Sequence, residues 1–343
     1  MKVYCNLFEQ VISLENLFSA WDDFKSDKRK KPDVMRFEWE LEENIFRLHR
    51  ELQSGAYQHS PYSGFYVTDP KQRHIHKALV RDRILHHAVF SVINPIFEPT
   101  FIATSFSCRV GYGTHRGVEA LTKMMRKVTK NNTRTCHVLK CDVRKFFHSV
   151  DHQVLLGILR KRIKDEKAMW LLESIIKSYS SDVGHHKGVP IGNLTSQLFA
   201  NIYMNEFDRY MKHIVKAKHY LRYTDDFAIV SENRFYLEEL LPKIKKFLSD
   251  NLVINLHPNK IILSTFCQGV DFLGYVSFPK YRLLRTKTRR RIFVRLRRKL
   301  KSYREGLTSK TSREQSLQSY LGVLSHANTF KLRELILNEF WFG

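Results

Sequence analysis

A chain of 343 residues with 58 Lys and Arg against 34 Asp and Glu carries a formal charge of +24, a field that points to a polyanionic partner, nucleic acid being the commonest. Its hydrophobic content of 43% and aromatic content of 13% exclude wholesale disorder and allow one large domain or two or three subdomains. No apolar run approaches the roughly 18 residues of a membrane span, the N-terminus lacks a signal peptide's apolar core, and five scattered cysteines suit a reducing cytoplasm better than a disulfide framework.

Residues 35–54 place apolar side chains at helical spacing and end at Ser54-Gly55, which predicts a helix. Tyr57 to Val67 is aromatic-rich and broken by Pro61 and Gly64, and reads as extended. The pattern predicts an apolar helix over 77–98 and a basic one over 116–129. His137 to Val143 is a short apolar strand ending on Asp142. A helix over 151–179, a loop or hairpin from Ser180 to Gly192 and a helix over 193–213 follow. Tyr220 to Val230 sets two apolar arms around Asp225-Asp226, the pattern of a hairpin. Past residue 280 the composition changes. Arg282 to Arg304 hold 12 basic residues and no acid, while Ile292, Val294, Leu296 and Leu300 give that helix a core-facing side.

Two adjacent acids in a dry hairpin are costly, because neighbouring carboxylates resist joint ionisation without a cation. A solvated turn would be the bland explanation. Asp142, closing an independent strand, makes a metal reading coherent. Three hard oxygen donors suit Mg2+, with Mn2+ as an alternative, and two such ions activate a 3′-hydroxyl and stabilise a leaving pyrophosphate. With so much basic surface, that chemistry is nucleotide polymerisation.

Tyr223-Thr224-Asp225-Asp226 resembles the Y-x-D-D signature of reverse transcriptases, and Cys141-Asp142-Val143-Arg-Lys-Phe-Phe147 resembles their first palm motif. Asp271-Phe272-Leu273-Gly274-Tyr275 is similar to the primer-grip hairpin that comes after it in those enzymes. The resemblance, ordered over roughly 70–276, implies an α+β right-hand polymerase: an N-terminal helical extension (1–60), fingers and palm with an antiparallel palm sheet (61–280), and a basic helical thumb (281–343). It implies Asp142, Asp225 and Asp226 as catalytic metal ligands and Phe147 as the steric gate against ribonucleotides. Lys71-Gln-Arg73 and Ser107-Cys-Arg109 resemble upstream motifs of the bacterial, group II intron-like enzymes, so Arg73 and Arg109 are expected to grip the triphosphate. Lys260 is expected to protonate pyrophosphate, and Phe272, Leu273 and Gly274 to form the primer grip. Arg289, Arg290, Arg297 and Arg298 are expected to hold duplex phosphates.

Relatives of this type usually carry Gln-Gly and Ser-Pro where this chain has Ile191-Gly192 and Ser196-Gln197. That departure, with Leu324-Ser-His326-Ala-Asn328, resembles the enzymes of diversity-generating retroelements. Ile191 and Gln197 are therefore the expected fidelity positions. The expected substrates are dNTPs and a structured RNA template with its RNA/DNA duplex, and a small basic accessory protein is an expected partner. The competing readings are an antiphage-defence enzyme in a bacterial cytoplasm and a non-catalytic RNA-binding scaffold.

Overall fold

The computed structural model describes residues 2–68, 72–181 and 186–340, so Lys71 lies outside the described residues. Helices α1 (Phe8–Ile12), α2 (Leu14–Lys25), α3 (Pro32–Trp39) and α4 (Leu41–Gln53) open the chain. The continuous helix expected over 35–54 is broken, because Glu40 leaves the helical region at φ −119°, ψ 42°. On α2, Leu17, Ala20, Trp21 and Phe24 fall at i, i+3, i+4 and i+7 and are all buried. They pack on α5 (Val80–Phe97), so the N-terminal helices and α5 share one core.

Between α4 and α5 lies an antiparallel hairpin of β1 (Ser63–Val67) and β2 (Arg73–Lys77). The helix expected from 77 therefore starts later, at Val80. Then come α6 (Thr114–Val128), β3 (His137–Asp142), α7 (Phe146–Ser149), α8 (His152–Arg160) and α9 (Glu166–Lys177). The helix expected over 151–179 is two, since Asp165 caps α9 through the Ala168 amide at 3.0 Å and also accepts from Leu7 and Phe8. Helix α10 (Leu194–Arg209) runs into a π-helical turn, Tyr210–Ile214. It is followed by β4 (Tyr220–Tyr223), β5 (Asp226–Ser231), α11 (Arg234–Leu252), β6 (Ile262–Thr265), β7 (Val270–Phe272), β8 (Tyr275–Ser277) and β9 (Arg282–Leu284). Three helices close the described chain: α12 (Thr286–Arg304), α13 (Lys310–Ser325) and α14 (Phe330–Phe340).

The central sheet is antiparallel with order β4-β5-β3-β6. Strand alternation sorts its side chains into two cores. Leu139, Cys141, Phe227, Ile229 and Tyr220 join the core with the N-terminal helices, α8, α10 and α11. Val138, Ala228, Val230 and Leu221 join a second core with α6, the β7–β8 hairpin and the last three helices. In that second core Ile292, Leu296 and Leu300 anchor α12. Val294, expected beside them, is 57% exposed. Two residues rotate a helix by about 200°, so Val294 points away from Ile292 and Leu296.

The closing helices are locked to the hairpin sheet. The Arg282 amide donates to Asn328 Oδ1 at 2.9 Å and the Asn328 amide donates to the Arg282 carbonyl at 2.8 Å. Arg282 also reaches the His326 carbonyl at 3.2 Å, and the His326 ring stacks on His115 of α6 with centroids 3.6 Å apart.

Candidate active site

The register of β3 against β5 sets Asp142 opposite Asp226. By the two-residue period both side chains share the sheet face that carries Lys140, Val138 and Ala228. The turn between β4 and β5 differs from the expected Asp225-Asp226 tip: Thr224 and Asp225 form it, and Asp226 is the first residue of β5, paired with Tyr223. The Val143 amide donates to the Asp225 carbonyl at 3.3 Å, so the three acids lie where two strand ends meet.

Their electrostatics are strained. Burial, then the charges of Asp226 and Asp142, push the Asp225 carboxyl up to about 7. Burial and Asp142 raise Asp226 as well. Lys260 reaches Asp142 Oδ2 with its ammonium at 2.6 Å. It is delivered there by the turn Pro258–Lys260, which is hooked to β3 by the His257 amide donating to the Asp142 carbonyl at 2.8 Å. Among the described residues no three carboxylate, imidazole or thiol groups converge into a ready-made ion cage. The donor chemistry still fits a hard cation, because Mg2+ is commonly held by one or two carboxylates and completed by water and substrate phosphates.

Phe146 is fully buried while its neighbour Phe147, five residues beyond Asp142, is half-buried. The adjacent Lys145 adopts φ 47°, and the Val189 amide holds the Phe147 carbonyl at 2.7 Å. Ile191 and Gly192 lie against strand β2: the His76 amide donates to the Ile191 carbonyl at 3.0 Å, and Asn193 Nδ2 donates to the His76 carbonyl at 3.1 Å. A Cβ on Gly192, at φ 115°, would come within 2.7 Å of Ile75. Gln197 is exposed on the first turn of α10, and Arg73 is exposed at the start of β2.

The hairpin Phe272-Leu273-Gly274-Tyr275 turns through two left-handed residues, Leu273 at φ 49° and Gly274 at φ 91°. That is a two-residue hairpin turn with a bulky Leu where Asn or Gly is usual. Lys140 Nζ ties the Asp271 carbonyl to the central sheet at 2.9 Å. On α12, Arg289, Arg290 and Arg298 are exposed, whereas Arg297 is paired with Glu339 at 2.8 Å.

Arg109 is not placed as the motif suggests. Its side chain is only 6% exposed; it pairs with Glu98 at 2.7 Å, and donates to the carbonyls of Ile102 and Ser105 at 2.8 and 2.9 Å. Its guanidinium also stacks on Tyr112, 4.0 Å from the ring centroid. With these partners it braces the loop 102–109 and has little left for a nucleotide phosphate.

Sequence reading gives no role to Arg222 and Asp208, both fully buried and paired at 2.7 Å. A signal for them exists all the same: Arg222 is a lone charge inside an apolar strand arm, which demands a buried partner.

An antiparallel sheet carrying paired acids at one end, a fingers hairpin before it and a basic helical bundle after it make a right-hand polymerase. The chain belongs to the reverse transcriptase (RNA-dependent DNA polymerase) family, whose model matches residues 68–277. It is 29% identical over 280 residues to protein YkfC of Escherichia coli K12, covering 71% of each chain. It is 26% identical over 177 residues to the group II intron-encoded protein LtrA of Lactococcus lactis, covering 50% of this chain and 28% of LtrA. A solved apo telomerase from Candida tropicalis overlays with TM-score 0.47 at 13% identity, covering 68% of this chain and 57% of that one. The protein is thus an RNA-directed DNA polymerase, and its family depends on divalent metal. No helix among the described residues is long and apolar enough to cross a membrane.

Proposed function

We propose that Asp142, Asp225 and Asp226 hold two Mg2+ ions for addition of dNTPs to a primer 3′-hydroxyl on an RNA template. The observation that carries this is the pairing of Asp142 opposite Asp226 with Asp225 in the adjoining turn, in a setting that drives Asp225 to about 7. Bound metal would supply activation of the hydroxyl and neutralisation of the phosphates. The chain's own residues do the rest. Lys260 balances Asp142 before substrate arrives and would give a proton to the leaving pyrophosphate. Phe147, half-buried and five residues past Asp142, would exclude a ribose 2′-hydroxyl. Arg73, exposed on the fingers strand, meets the triphosphate. Phe272, Leu273 and Gly274 seat the primer end, and Arg289, Arg290 and Arg298 hold duplex phosphates through α12.

In this reading the domain bounds stay at 1–60, 61–280 and 281–343, with the first segment packed into the palm core. The biological role we assign is cDNA synthesis from one dedicated, structured RNA, with low fidelity, as in a diversity-generating retroelement. A small basic accessory protein assists in a bacterial cytoplasm. The half-buried Ile191, on a loop hydrogen-bonded to the fingers strand, supports low fidelity: it offers no amide to a neighbouring base pair.

Purified protein given poly(rA)–oligo(dT), dTTP and Mg2+ should extend the primer. Asp142→Asn, Asp225→Asn and Asp226→Asn should each lose at least about a hundredfold in rate, as expected for loss of a group that acts only in the transition state. Extension by any of the three at the wild-type rate would end the metal assignment. For fidelity, Ile191→Gln should lower misincorporation opposite template adenines, and an unchanged adenine error rate would end that part. Sequencing the RNA that co-purifies identifies the template.

A further inference from the structure

The turn that carries Asp225 and Asp226 is strained and is held from behind. Thr224 adopts φ 54°, a left-handed conformation that a β-branched residue rarely takes. Such a residue keeps its conformation only when its surroundings over-determine it. Two restraints do so here. The Thr224 hydroxyl donates to Ser107 Oγ, a buried hydroxyl whose backbone carbonyl is itself held by Asn201 Nδ2 at 2.8 Å. The Thr224 carbonyl accepts from Arg222 Nη1 at 3.0 Å.

Arg222 is itself fixed. Its Nε and Nη2 form a two-point fork with Asp208 of α10 at 2.9 and 2.7 Å, and the Tyr220 hydroxyl donates to the same carboxylate at 2.6 Å. All three side chains are fully buried. The loop braced by Arg109 then lies along β4: the Arg222 amide donates to the Thr104 carbonyl at 2.9 Å and the Phe106 amide to the Arg222 carbonyl at 2.9 Å. Asp208, Arg222, Thr224 and Ser107 thus form one chain of contacts from α10 to the loop 102–109, which Arg109 braces separately through Glu98 and the Ile102 and Ser105 carbonyls, and the Thr224–Asp225 turn is bonded to its middle.

We infer that Arg222, Asp208, the Thr224 hydroxyl and Ser107 are positioning residues for catalysis, which hold the two turn carboxylates where the metal ions need them. The Ser107-Cys-Arg109 motif serves the acids from behind. This rests on the metal reading of Asp225 and Asp226 given above. A generic core pair would raise stability and leave turnover per folded molecule alone. A positioning network acts on the chemistry, because small misplacements of catalytic groups cost large rate factors.

Three variants test it on poly(rA)–oligo(dT) with dTTP, each first checked for a cooperative thermal transition. Thr224→Val removes the hydroxyl at nearly unchanged shape, Ser107→Ala removes its partner, and Arg222→Lys keeps the charge but not the fork. Folded variants should lose about tenfold or more in kcat, need at least about threefold more Mg2+ for half-maximal rate, and keep the dTTP KM within about twofold. Thr224→Ser, which retains the hydroxyl, should restore both the rate and the Mg2+ requirement. If Arg222→Lys does not fold, Thr224→Val and Ser107→Ala decide the matter. Wild-type kcat and Mg2+ requirement in those two would overturn the inference while an inactive Asp225→Asn left the metal reading standing; an active Asp225→Asn would overturn both.

Discussion

Replacing Asp225 by Asn should stabilise the metal-free protein at alkaline pH, the opposite of what a substitution in a buried site usually does. In the folded chain Asp225 titrates at about 7, while an unfolded chain would bring an Asp to about 3.9. The sign depends on which state holds the proton. Between those two values the native carboxyl keeps a proton that the unfolded one releases, so stability is fullest below pH 4 and falls as pH rises to 7. Three units at about 1.4 kcal/mol each set a ceiling of about 4 kcal/mol, and relaxation of the neighbouring acids brings the expected loss to about 2–4 kcal/mol. Asn carries no charge and escapes it. The assay is urea unfolding of wild-type and Asp225→Asn in EDTA at pH 4.5 and pH 8. The variant should gain about 2–3 kcal/mol relative to wild-type on going from the lower to the higher pH, and saturating Mg2+ should reduce that gain by stabilising wild-type more than the variant. A difference between the two proteins that does not move with pH would refute the electrostatic account of the site.

Arg109→Lys should destabilise the fold by about 2–3 kcal/mol, read as a shift in the urea midpoint, because three charge-assisted hydrogen bonds to Glu98 and two carbonyls are weakened; the dNTP KM should stay near wild-type, and a large rise in KM would return Arg109 to the triphosphate. Phe147→Val should raise incorporation of ribonucleotides by at least about tenfold without a matching loss of dNTP use, measured as the ratio of kcat/KM for rUTP and dTTP. Replacing Arg289, Arg290 or Arg298 with Ser should each lower the slope of log affinity against log salt for duplex binding by about one; Arg297→Ser should lower it less, since Glu339 already holds that guanidinium.

The parts of this protein that read most directly from sequence are those in which one local rule suffices. The apolar strand ending on Asp142, the arms around the acids and the one-sided helix after residue 285 each arise from a periodicity. The breaks do not. Glu40 and Asp165 divide long helical patterns, and Asp165 does so while answering amides from the distant N-terminal helix, a tertiary demand invisible in the local pattern. Arg109 shows the limit of motif reading. An arginine in a phosphate-gripping motif and one that braces a loop are the same letter, and only Glu98 and Tyr112 around it distinguish them. The turn register differs by one residue from the sequence pattern for a related reason. Thr224 is a poor turn former by propensity, and takes the position because Ser107 and Arg222 compel it.

The reciprocal bonds between Arg282 and Asn328, with His115 stacked on His326, have a mechanical consequence. They rivet the basic bundle at its base to the frame that carries the acids. The β1–β2 hairpin, by contrast, is exposed at every residue of β1, and His76 of β2 bonds it to the loop 191–193. The basic helices and the acids are therefore carried on one frame.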